Sequence, residues 1–456
     1  MEEKNTFIRD LTQGSVTKQL LSFSAPFMLA QLLQTVYSMV DMYFIGNYVG
    51  SSALSGVSTG SELLMLVTFI GIGLASAGQV MISQFVGRGD RDSIRTTIGT
   101  MFTFILSVSL VLTVICLLMT PLMLQWMNTP ETAYDSARGY VIVCFSGLFF
   151  IFGYNTVSAI FRGMGDSRRP LLFIGIAAVI NMILDYVFVV KMDMAAVGAA
   201  LATVIGQGFS FIASLVYLRR RRDAFGFDFR LSSFRPVASI LKPMCKLGLP
   251  MILQSAAVSL SMLFVNSFIN SYGVVASAVT GIGTKLGNVV SIIAGSVMTA
   301  GSSMIGQNLA AKKHDRVKKI VHVSHAFTLS FAAVLSLIFL LMPKTVFSIF
   351  SQDPEVLAQA STYMAAGVIS YFAFALMCPY NALITGIGYS TLAFVIGILD
   401  GVVARVGLSV LFGLVFDMGV VGFWYGNSLA GYVTVLLGAA YYLSGKWKTR
   451  KLIVDE

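Results

Sequence analysis

The stretch Gly78-Gln79-Val80-Met81-Ile82-Ser83-Gln84 returns 223 residues later as Gly301-Ser302-Ser303-Met304-Ile305-Gly306-Gln307. Four of the seven positions are unchanged, and Asp92 beyond the first copy falls on Asp315 beyond the second. At the same offset Gly163-x-Gly165-x-Ser167 falls on Gly386-x-Gly388-x-Ser390. At 224, Asp193-Met194-x-x-Val197-Gly198 falls on Asp417-Met418-x-x-Val421-Gly422, and Pro26 on Pro250. Chance matches are common in apolar sequence, but several near one offset are not. The chain reads as one set of elements written twice.

Outward from either copy, the apolar runs are too long for a soluble helix. Hydrophobic residues make up 56% of the 456, charged ones 11%, and the mean hydropathy is +0.81. A soluble domain carries about 25% charged residues because its surface must face water. The runs exceed the roughly 20 residues that a spanning helix needs, and they lack the alternation of barrel strands. Spans are expected near residues 17–46, 53–86, 93–119, 136–161, 170–190 and 195–218. The second six are expected near 240–271, 275–309, 317–341, 355–385, 391–415 and 419–443. Each half holds an even number, so both have one orientation, related by an axis along the membrane normal. The expected fold is an all-α integral membrane protein of twelve transmembrane helices. It forms two pseudo-symmetric six-helix lobes, 1–218 and 237–456, joined by a cytoplasmic linker at 219–236 that is broken by Gly226 and Pro236.

The net charge of +10 is a topology signal rather than a nucleic-acid footprint. With the N-terminus inside, 26 of the 31 Lys and Arg residues fall on inner segments. By the positive-inside rule both termini are expected in the cytoplasm, with the lipid bilayer as partner and no nucleic acid. No cleavable signal peptide is expected, since residues 1–18 are polar and Gln31, Gln34 and Asp41 interrupt the first apolar run. Cys116, Cys144, Cys245 and Cys378 are scattered within spans and read as packing residues. His314, His322 and His325 lack zinc-site company. There is no P-loop for nucleotide hydrolysis. Neither an enzyme nor a cofactor is expected.

A carboxylate at mid-bilayer costs at least about 2.5–3.5 kcal/mol on insertion scales, so each one needs a reason. Asp41, Glu62, Asp185 and Asp400 lie within the expected spans. Gln31, Gln34, Ser38 and Asp41 recur at three- and four-residue steps, with Tyr37 one turn before the aspartate. That polar stripe on the first span should line a cavity. Asp185 follows Asn181 by one helical turn and shares its face of the fifth span. Two carboxyls with an amide between them suit a proton or a small alkali cation; the alternative is hydrogen bonding that only joins helices. Glu62 and Lys285 are repeat-equivalent and opposite in sign, so they are candidates for a gate, or for separate positions near the outer interface. Asp400 and Arg405 share the eleventh span and read as a structural pair, although a five-residue spacing does not align them on an α-helix. Arg405 also stands where the first half has its acid and amide.

The chain resembles the multidrug and toxic compound extrusion (MATE) family over residues 14–448. The likeness rests on the six-plus-six repeat and on Pro26…Gln34-x-x-Tyr37-x-x-x-Asp41, Ser83-Gln84-x-x-Gly87 and Arg162-Gly163-x-Gly165-Asp166. The resemblance implies a V-shaped, two-lobed transporter exporting small organic, often cationic, compounds in exchange for H+ or Na+. In the bacterial branch it is most similar to, the cation site lies in the N-terminal lobe. Carried over, that site is Asp41, Asn181, Asp185 and Thr203; Thr203 comes from the resemblance alone. Other branches carry a glutamate in span seven, where this chain has Gln254 and Asn266. The expected setting is the plasma (inner) membrane, as a monomer handling small-molecule substrates. The main alternative is a flippase for lipid-linked saccharides, for which Lys285 and Arg405 are the candidate pyrophosphate ligands.

Overall fold

A computed structural model describes residues 8–222 and 227–455. All regular structure among them is helical. Eleven helices are long and apolar enough to cross a membrane: Val16–Tyr48, Ser51–Arg88, Arg91–Trp126, Arg168–Lys191, Ala195–Arg220, Ala238–Ser271, Val274–Ala310, His314–Leu341, Pro354–Ile387, Ser390–Val415 and Gly419–Leu443. The fourth expected span is a bent pair, Glu131–Ser146 and Leu148–Gly163, meeting at 51°. Gly147 sits at the bend, where a Cβ would run into the side chain of Val204 on span six. A glycine there admits both the kink and the close approach. Counting that pair as one gives the twelve expected spans. In hydrocarbon no water satisfies backbone N–H and C=O groups, which is why helices carry the crossing.

The chain divides into two compact units. The first takes residues 8–10 and Ala25–Gly248; the second takes Leu11–Ser24 and Leu249 onward. Of the three boundaries, the one at Asp10/Leu11 precedes span one, and the other two fall inside helices, in spans one and seven. Gly226 of the expected linker lies outside the described residues.

Contacts inside each unit repeat in register. A Cβ on Gly163 would lie 2.8 Å from the Gln79 carbonyl oxygen and 2.9 Å from Ile82 Cβ. A Cβ on Gly386 would lie 2.8 Å from the Ser302 oxygen and 2.9 Å from Ile305 Cγ2. All three positions are 223 apart. Gly165 and Gly388 both end a helix at φ +84°, a left-handed turn that costs a side-chain-bearing residue more than glycine. At 224 the agreement continues: Asp193 and Asp417 have φ of 52° and 53°, and Gly198 packs on Phe188 as Gly422 packs on Phe412.

Between these registers the offset grows by one, so span eleven has a residue that span five lacks. The structure shows where it goes. Span five contains one π-helical turn, Tyr186–Lys191, and span eleven contains two, Leu399–Ala404 and Leu411–Val415. The second of these matches the turn in span five at 224. The first has no counterpart, since the corresponding part of span five is regular α-helix. A one-residue insertion absorbed without breaking the helix produces a π turn, and such turns gather at functional sites.

The segments leading into spans one and seven are tied down alike. In the second unit the Leu11 N–H donates to Gln307 Oε1 at 2.9 Å, and Asn308 Nδ2 donates to the Leu11 carbonyl at 3.1 Å. Arg316 reaches the carbonyl of Gly14 at 2.7 Å, and Lys313 that of Thr12 at 2.9 Å. In the first unit Arg95 donates to Asp228 at 2.7 Å and to Ser233 at 3.1 Å, while the Val237 N–H donates to Thr100 at 3.2 Å.

Candidate functional site

In the first unit spans one, five and six bring polar side chains together in an apolar core. Asp41 is 9% exposed, Asn181 3% and Asp185 0%. Asp185 is the last α-helical residue before the π turn Tyr186–Lys191. The Asp41 and Asp185 carboxyls are within hydrogen-bonding reach of each other. Two carboxylate oxygens attract only when a proton or a cation lies between them. Both Asp185 oxygens are fully buried, with no donor from a neutral or cationic group.

Span six closes the group. Thr203 Oγ1 donates to Asp41 Oδ2 at 3.5 Å. With its amide oriented by the network, Asn181 donates to Asp41 Oδ1 at 3.0 Å and accepts from the Thr203 N–H at 3.3 Å. Tyr37, Ala177, Asn181, Thr203, Gly206 and Gln207 line a cavity beside it that has room for about one water or a small ion. Gly206 keeps that space close to span five, since a Cβ there would lie 3.0 Å from the Ala177 oxygen. Gln207, which lines this cavity with Tyr37, escaped the sequence reading. Its signal was available: it follows Thr203 by one helical turn.

The polar stripe of span one does not face one way. Asp41 is buried, Gln34 and Tyr37 are half-buried, and Gln31 and Ser38 are exposed. At about 100° per residue Gln31 and Ser38 stand nearly in line, and Gln34 and Asp41 stand in line about 60° round the helix, so the stripe has an exposed and a more buried side. Glu62 of the first unit and Lys285 of the second are exposed, and the Lys285 ammonium lies 5.9 Å over the Phe350 ring.

Asp400 and Arg405 are joined. Arg405 Nη2 donates to Asp400 Oδ1 at 3.1 Å, and both side chains are 8% exposed. The spacing that an α-helix would leave misaligned fits the extra π turn, whose closing bond runs from the Arg405 N–H to the Asp400 carbonyl. Thr434 Oγ1 donates to the other carboxylate oxygen at 3.0 Å, and Arg405 Nη1 to Asn427 Oδ1 at 2.7 Å. Asn427 and Thr434 were also missed, although they stand 224 residues after Thr203 and Ser210.

Among the described residues no group of three or more His, Cys, Asp or Glu is placed to hold a metal ion. The oxygen set around Asp41 and Asp185 suits one monovalent cation or a proton.

The MatE family profile matches residues 26–187 and again 250–411. The chain belongs to the MatE family. The two matches are themselves 224 residues apart at both ends, the internal repeat in another form. Members of this family are transporters, not enzymes. A probable multidrug resistance protein of Bacillus subtilis, YpnP, is 28% identical over 98% of this MatE chain and 99% of its own. The multidrug export protein MepA of Staphylococcus saprophyticus is 26% identical over 90% of each chain. An outward-facing multidrug resistance MATE transporter has the same fold, with a TM-score of 0.91 at 21% identity over 98% of this chain and 100% of that one. This MatE protein is accordingly a membrane transporter.

Proposed function

We propose that the protein is a secondary active antiporter. It exports small organic, often cationic, compounds by alternating access in exchange for H+ or Na+, and Asp41, Asn181, Asp185 and Thr203 hold the coupling ion. One observation carries this reading: two buried carboxyls lie in reach of each other, and Asp185 has no donor of its own. Two like charges about 4 Å apart repel by about 4 kcal/mol at an effective dielectric constant of 20, and a shared proton or sodium ion reverses the sign. Loading therefore pulls spans one and five together through side chains alone. Unloading leaves two charges that separate or rehydrate, which moves the face of span one carrying Gln34 and Tyr37. Binding at one site then biases the shape of the other, as exchange requires. Both termini in the cytoplasm fits the basic charge on the expected inner segments, and the proposed setting is the plasma membrane with the monomer as working unit.

Efflux of a fluorescent organic cation from proteoliposomes tests the proposal, with pH and sodium gradients imposed separately. One gradient should drive wild-type efflux, and Asp41→Asn should abolish it while the protein still reaches the membrane. Efflux unaffected by the substitution would sink the coupling site. Indifference to both gradients would favour flipping of lipid-linked saccharides.

A further inference from the structure

The second unit reproduces the frame of the ion site and fills it with its own charge. At the offset of 224, Asn181 becomes Arg405 and Thr203 becomes Asn427. Each pair is hydrogen-bonded across the same two spans, Asn181 to Thr203 and Arg405 Nη1 to Asn427 Oδ1 at 2.7 Å. Ser210, which donates to the Phe173 carbonyl, becomes Thr434, which donates to Asp400. The two acids are gone: Asp185 becomes buried Ser409, and Asp41 becomes Val265, 2% exposed. In their place is Asp400, at the level of Ile176 and Ala177, and Ala177 lines the cavity beside the first unit's site. The π turn found only in the second unit carries this acid and brings its carboxylate to Arg405.

The charge balance differs accordingly. In the first unit two carboxyls face each other with an amide and a hydroxyl, a set whose charge is balanced by no cationic side chain of its own. In the second a single carboxylate is met by a guanidinium on the same helix, with an amide and a hydroxyl completing the set. A guanidinium keeps its charge throughout the working pH range. We propose that Arg405 is a tethered counter-ion that keeps the second unit permanently loaded, so that only the first unit exchanges an ion with solution. The residue thereby sets the ion stoichiometry of transport. The inference rests on the coupling role given above to Asp41 and Asp185.

Counting cations tests it. The full-length purified protein is assayed for equilibrium binding of Na+ alone and for proton uptake between neutral and mildly acidic pH. Arg405→Ala should take up one more equivalent of sodium or proton than wild type, and adding Asp400→Asn should return the count to the wild-type value. An unchanged count in Arg405→Ala would overturn the proposal. Because the readout is a difference from wild type, it stands apart from the first site. If Asp41→Asn leaves the wild-type count unchanged, the coupling reading fails, while the gain in Arg405→Ala is read as before. Should Arg405→Ala not reach the membrane, the neutral pair Asp400→Asn with Arg405→Gln decides. Wild-type efflux and ion ratio in that variant support a fixed counter-ion; loss of efflux from properly inserted protein overturns it.

Discussion

Asp185→Asn gives the sharpest test of how the first unit holds its ion. In the wild type the Asp185 carboxyl is fully buried and meets Asp41 without any other donor. An asparagine there removes one of the two charges that attract a cation and adds an N–H able to donate to Asp41. The first change forfeits an attraction of about 4 kcal/mol for charges about 4 Å apart at an effective dielectric constant of 20. At about 1.4 kcal/mol per tenfold, affinity for the coupling ion should fall by roughly three orders of magnitude. The second change hands Asp41 a permanent partner, so the site is satisfied without an ion. The fold should survive, since the amide has nearly the shape of the acid and gains a hydrogen bond. Isothermal titration of purified protein with sodium, or proton uptake if sodium is inert, reads the affinity, and efflux from proteoliposomes reads the coupling. A variant that binds the ion within a few-fold of wild type would refute the idea that both carboxyls share it. A variant that loses substrate binding but keeps the ion would move Asp185 to the substrate side.

Thr203→Ala removes a hydroxyl that touches Asp41 only at 3.5 Å; ion affinity should fall by about tenfold at most, as for one neutral hydrogen bond, and a loss as deep as that of Asp185→Asn would show that the hydroxyl is a principal ligand. Gly163→Ala and Gly386→Ala each drive a methyl into a carbonyl and an isoleucine at matching distances. Each should destabilise by about 1–3 kcal/mol, and a thermal midpoint unmoved in either would contradict the close approach. Asp90 caps the third span through the Ser93 N–H at 3.0 Å and the Ser93 hydroxyl at 2.7 Å. These bonds hold its carboxyl below the usual aspartate range. With the folded value depressed, the stabilisation is complete above the ordinary aspartate range and is lost as pH falls through the folded value. Asp90→Ala should therefore cost about 1 kcal/mol at neutral pH and less once wild-type Asp90 is itself protonated, as paired thermal melts would report.

The sequence by itself determined the membrane class, the span count and the doubled design. Bilayer thickness and the need to satisfy every backbone group leave few choices for apolar runs of this length. It also singled out Asp41, Asn181 and Asp185, because burying an acid is costly and such residues stand out against an apolar background. Their grouping into one site was expected from matching depth and from the family resemblance, but the side-chain geometry that joins a carboxyl on span one to another on span five is set only when the helices pack. Gln207 was not legible at all, and Thr203 only through the resemblance, because both are ordinary polar residues whose neighbours are chosen by packing. The clearest case is span eleven. A change of offset from 223 to 224 records an extra residue, but not whether it lengthens a loop or bulges a helix. Tertiary structure placed it in a π turn, because a loop at that depth would leave backbone groups unpaired in hydrocarbon. That turn brings Asp400 and Arg405, misaligned on an α-helix, into a buried ion pair.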